Sequence, residues 1–177
     1  DKIVPNVDYS RYWHGSMVLL RPLFMFFNIR TIRMILGIFI LLLTVWFVYL
    51  LIRKKYLFFA GCYIVGLLSV SAWMCAFCVE YTMPFLVMAV ELPVLFLLMT
   101  KEVNDKKDGY QEKILWCVLA ASGIVTAFLD FLTTETLTFT VAYMLYLVVR
   151  SKRGQIEGLK KECGRMIKSG AVWGISY

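Results

Sequence analysis

The chain has 177 residues, 60% of them hydrophobic and only 18% charged, with a mean hydropathy of +0.72. Ordinary soluble domains run at about 45–50% apolar and about 25% charged, so the composition excludes that class and indicates an integral membrane protein. The net charge of +7 does not indicate nucleic acid, because the basic residues sit in short clusters between apolar runs, as topology signals do.

Residues 1–31 precede the first long apolar stretch. Their short runs, Tyr12 to Leu20 and Leu23 to Phe27, are broken by Arg21-Pro22 and cannot span. Their Trp, Tyr and Arg content suits a segment lying at headgroup level. Ile32 to Ile52 is then about 21 residues, roughly 30 Å of helix, with Arg33 as its only charge. Backbone crosses lipid only with its hydrogen bonds met internally, so this stretch is a spanning helix. Arg53-Lys54-Lys55 stops it and marks the cytoplasmic side, which puts residues 1–31 outside.

The second span is expected over Leu57 to Cys78, with Gly61, Gly66, Ser69, Ser71 and Ala72 permitting close helix approach. A short outer turn holds Glu80. The third span runs over Thr82 to Thr100 with Pro84 and Pro93 inside it, and Lys101 to Lys113 forms a soluble inner loop. The fourth, Ile114 to Leu132, and the fifth, Thr133 to Val149, meet at an outer turn around Asp130 and Glu135. Residues 32–149 are thus read as a five-helix transmembrane bundle. Residues 150–169 form a cytoplasmic amphipathic helix, apolar at Ile156, Leu159, Cys163, Met166 and Ile167 and basic at Lys160, Lys161, Arg165 and Lys168, suited to an anionic membrane surface. Residues 170–177 read as the start of a truncated sixth span. With no initiator Met and an apolar ending, the sequence reads as an internal piece of a longer chain. The inner segments hold fourteen of the nineteen Lys and Arg, in agreement with this layout.

Candidate chemistry gathers in two places. The outer face collects Asp8, Arg11, His14, Arg21, Glu80 and Asp130. Acids, one His and two Arg there would bind a phosphate-bearing substrate and supply a general base; the alternative is headgroup contacts and helix caps. Glu91 lies near the middle of the third span, two residues before Pro93. An ionisable group at that depth faces a bundle interior or polar cavity, or stays protonated. It is either a relay or substrate site or a neutral side chain hydrogen-bonded to a neighbouring helix. A zinc site is not indicated, because His14 is the only histidine. Cys75-Ala76-Phe77-Cys78 is read as packing inside an apolar run rather than as a redox motif. No Walker, GxGxxG or GxSxG pattern occurs, and the sequence leaves any cofactor unknown.

Arg11-Tyr12-Trp13-His14-Gly15 followed by Leu19-Leu20-Arg21-Pro22-Leu23, together with Asp130-Phe131-Leu132-Thr133 and the ending Trp173-Gly174-Ile175-Ser176-Tyr177, resembles a set of mostly uncharacterised bacterial polytopic membrane proteins. The layout in turn is similar to GT-C glycosyltransferases. That resemblance implies an all-α membrane bundle with interfacial helices, acting on a polyprenyl-phosphate sugar at the outer face in cell-envelope assembly. It implies Asp8 as the catalytic acid, Arg11, His14 and Arg21 at the lipid phosphate, and Asp130 at a sugar hydroxyl or bracing the arginines. The other function classes left open are a transporter or lipid-binding protein using Glu91, and a non-catalytic membrane subunit. Membrane lipids are expected partners in all three.

Overall fold

A computed structural model describes residues 15–101, 108–129 and 136–177. Among the described residues the regular structure is entirely helical: α1 (Ser16–Phe24), α2 (Ile29–Arg53), α3 (Leu57–Ser69), a 3-10 helix (Ala72–Phe77), α4 (Val79–Thr100), α5 (Asp108–Leu129), α6 (Thr136–Lys152) and α7 (Leu159–Ser176). Three of these, α2, α4 and α5, are long and apolar enough to cross a membrane. The chain is therefore an all-α membrane helix bundle.

α2 begins at a good cap. The Asn28 side chain accepts from the Thr31 backbone N–H at 2.9 Å, satisfying one of the free donors of the first turn. At 25 residues it is about 37 Å long. Most of its apolar side chains face outward, Leu41, Leu42 and Val45 among them, and only 17% of its spanning window is buried in the bundle. A large exposed apolar face of this kind is suited to lipid.

The stretch expected as a second span divides. α3 has 13 residues, about 20 Å, which is short of the bilayer core. The Ser69 hydroxyl turns back to the Val65 carbonyl at 2.8 Å, a bond that competes with the helix ladder. Ser71 then takes a left-handed conformation, φ 52°, and the 3-10 helix follows. Together the two pieces run back along α2 to the level of Gly37. A Cβ on Gly37 would stand 3.0 Å from the Ala76 Cβ, so glycine lets the 3-10 helix lie close. Thr82 fixes this corner by donating to the Cys75 carbonyl at 2.6 Å.

α4 is the middle of the bundle. Its spanning window is 72% buried, against 17% for α2 and 28% for α5. Leu92, Leu95 and Phe96 are fully enclosed. The ring contact of Phe47 with Phe96 and the clustering of Ile32 with Met83 set α2 parallel to α4. Phe47 also meets Tyr63 of α3 edge-on at 5.3 Å. α5 and α7 run parallel and very close. Trp116 donates to the Ser169 hydroxyl at 3.2 Å, and further along both helices Gly123 has the Trp173 carbonyl 2.8 Å from where a Cβ would stand. The amphipathic stretch and the apolar run after it are one continuous helix, α7.

α2, α4 and α6 end together, and this end is basic. Lys152 donates to the Lys54 and Lys55 carbonyls, both at 2.8 Å, and lies 3.8 Å from the Tyr56 ring centre. Arg153 donates to the Met99 carbonyl at 2.7 Å. Two cations from the end of α6 thus satisfy carbonyls at the ends of two other helices, where the helix dipoles are negative.

Candidate functional site

Placing Glu91 on α4 puts a carboxyl in the middle of the bundle's most buried helix. The residue is 5% exposed. It forms part of the wall of a groove of about 360 Å³ between α4 and α5, beside Val90, Val94, Ala121, Ser122 and Val125. Among the described residues, Glu91 and Ser122 are the only polar side chains in that lining. Val90, Val94 and Val125 are more than two-fifths exposed, so the groove opens sideways, toward the surface that faces lipid.

The groove's chemistry rests on one group. Neither Glu91 carboxyl oxygen makes a well-formed hydrogen bond among the described residues, although the Ser122 hydroxyl is near enough to interact with it. The Ser122 hydroxyl donates to its own helix, at the Leu119 carbonyl, 3.1 Å away. Pro93 lacks an N–H, so the helix bond it would have given to the Ala89 carbonyl is missing one turn before. A buried carboxyl whose nearby donor, Ser122, is already engaged by the Leu119 carbonyl is poorly satisfied, and an unsatisfied polar group costs on the order of 1–3 kcal/mol. Such a group in a spanning helix points to function. The arrangement can do one thing well: seat an apolar molecule and accept a hydrogen bond from a single polar head.

The outer cluster fares differently. Asp8, Arg11, His14 and Asp130 lie outside the described residues, and so does Glu135. Glu80 falls in the first turn of α4. Arg21 is exposed in the last turn of α1, next to Leu20, which packs with Ile32 and Met83. Glu91 lies eight residues beyond Met83 on α4, roughly 12 Å deeper along the helix. Arg21 and Glu91 therefore mark different levels of the bundle.

One polar centre has no trace in the sequence pattern. Arg150 of α6 is buried, and it donates to the Tyr146 hydroxyl at 3.0 Å and to the Gln155 carbonyl. It pairs with Glu162 of α7 at 3.5 Å. Glu162 in turn pairs with Arg165 at 2.6 Å, and Arg165 reaches Glu157 at 2.9 Å. The Arg165 hydrogen bond, reinforced by Lys161, holds the Glu157 carboxyl below the usual carboxylate range. This network fastens the start of α7 to the end of α6, with the Tyr143 hydroxyl adding a bond to the Glu162 carbonyl at 3.1 Å. Sequence spacing alone gives no signal for a pair twelve residues apart across a turn.

No family model matches the chain, and neither curated proteins nor solved structures yield a match to it.

Proposed function

We propose that this is a multi-pass lipid-binding membrane protein whose mid-membrane groove, between α4 and α5, takes an apolar chain with a hydrogen-bond-donating head. The observation that carries the reading is the buried, poorly satisfied Glu91 carboxyl, with the Ser122 hydroxyl near it, in a largely apolar, sideways-open groove. Apolar walls supply affinity through buried area, and one acceptor supplies orientation. The basic end, with Arg53 to Lys55 and Arg150 to Arg153, faces the cytoplasm by the positive-inside rule. The groove then opens within the hydrocarbon layer, where a lipid alcohol or amide reaches it without crossing water.

The test is photolabelling of the protein in nanodiscs with a diazirine-bearing long-chain alcohol, followed by peptide mapping. Labels are expected to concentrate on α4 and α5 around Val90 and Val125, and to fall about tenfold in Glu91→Leu. Even labelling of every lipid-facing helix, unchanged by the substitution, would remove the proposal.

A second reading is favoured by the Arg11 to Gly15 motif and its resemblance to membrane proteins of GT-C layout. Here the chain transfers sugar from a polyprenyl-phosphate donor at the outer face, with Asp8 as the acid and Arg11, His14 and Arg21 at the phosphate. Native mass spectrometry separates the two readings. A co-purified polyprenyl-phosphate lost in Arg11→Ala/Arg21→Ala but kept in Glu91→Leu supports the transferase. The reverse pattern supports the Glu91 groove.

A further inference from the structure

A second trough lies between α3 and α6, a different helix pair from that of Glu91. Its deeper part, about 490 Å³, runs along apolar side chains such as Phe59, Met88, Val141 and Met144. Its mouth, about 380 Å³, is at the basic end and is lined by Lys55, Lys152 and Ser151 together with the apolar Leu57 and Phe58. The two parts adjoin, meeting at Phe59 and Val148. Among the described residues no carboxylate lines either part. Lys152 is held in place by the Lys54 and Lys55 carbonyls, and Lys55 is exposed beside it at a left-handed turn, φ 62°. Two cations at the rim of an apolar trough match the two ends of one molecule: an anionic head and an acyl chain.

We propose that this trough is a binding site for an anionic glycerophospholipid, its phosphate between Lys55 and Lys152 and one acyl chain along α3 and α6. Cationic side chains at the level of the headgroups attract anionic lipid, and the apolar channel beneath fixes where it sits. Gly66 lines the trough, and a Cβ there would meet nothing within 4 Å, so this point of the wall has room for a side chain. The site needs nothing from Glu91, and either proposal can fail alone.

Two substitutions test it without touching a buried contact. Lys55→Glu reverses one charge at the mouth. Gly66→Leu fills the channel, at a position where the backbone and the free space both accept a side chain. Native mass spectrometry would follow binding of phosphatidylglycerol and of phosphatidylcholine to the delipidated full chain, with far-UV circular dichroism checking the helices. The wild type is expected to hold phosphatidylglycerol about tenfold more tightly. Lys55→Glu should abolish that preference while keeping phosphatidylcholine binding, and Gly66→Leu should weaken both lipids about tenfold. Equal binding of the two lipids by the wild type would overturn the proposal. So would a preference that survives Lys55→Glu, which decides the matter by itself if Gly66→Leu does not fold.

Discussion

Glu91→Leu should make the bundle more stable, by about 1–3 kcal/mol, while it removes ligand binding. The reason is the carboxyl's position. It is 5% exposed, neither oxygen makes a well-formed hydrogen bond though Ser122 lies near, and its neighbours on α4, Leu92 and Leu95, are fully buried. Replacing an unsatisfied polar group by an apolar one of similar size removes a desolvation penalty without opening a cavity. Natural chains keep such penalties where function needs them. Thermal unfolding in detergent, followed by circular dichroism, reads the effect directly. A loss of 2 kcal/mol or more would mean that Glu91 is a helix-to-helix hydrogen-bonding group, the structural role its sequence position also allows. The groove would then lose its claim to be a site.

Arg150→Ala should also have a large effect, a loss of about 2–3 kcal/mol, because it removes a buried cation from Glu162 and leaves two buried acceptors without a donor, while Arg165 at 2.6 Å still compensates Glu162. The Arg150 and Glu162 side chains are only 2% and 11% exposed. The same deletion takes a donor from the Tyr146 hydroxyl and from the Gln155 carbonyl. Arg150→Met/Glu162→Met is expected to recover most of the loss. Apolar replacement of a whole buried pair is often neutral, and Arg165 keeps Glu157 at 2.9 Å. Chemical unfolding of the two variants side by side gives the comparison. A double variant as unstable as Arg150→Ala would show that the network acts through packing shape and not through charge compensation.

What could be read from the residues depended on whether the signal was local. α2 announces itself, because a long apolar run bounded by Arg33 and Arg53 needs no partner to be recognised. The cores of α4 and α5 stand out for the same reason. Glu91 was conspicuous because a carboxylate is rare in an apolar run, and its burial follows from α4 lying in the middle of the bundle. The break after α3 was not readable. Gly66, Ser69 and Ser71 suit close helix packing and also suit a helix end, and only the contact of Ala76 with Gly37 decides between them. The burial of Arg150 was hidden too. In sequence it is one of a cluster of stop charges, and only the return of α7 alongside α5 brings Glu162 to it. Likewise α7 reads as a surface helix followed by a new span, yet the small Gly123 lets its apolar end settle against α5 as one continuous helix.

The measurement to make first is a crystal structure of the full chain grown from a lipidic mesophase doped with the long-chain alcohol. An alcohol oxygen at roughly 2.6–3.2 Å from the Glu91 carboxyl, with its chain lying between α4 and α5, is the outcome expected. A Glu91 side chain hydrogen-bonded to a neighbouring helix, across a groove that has closed, would contradict the lipid-binding role.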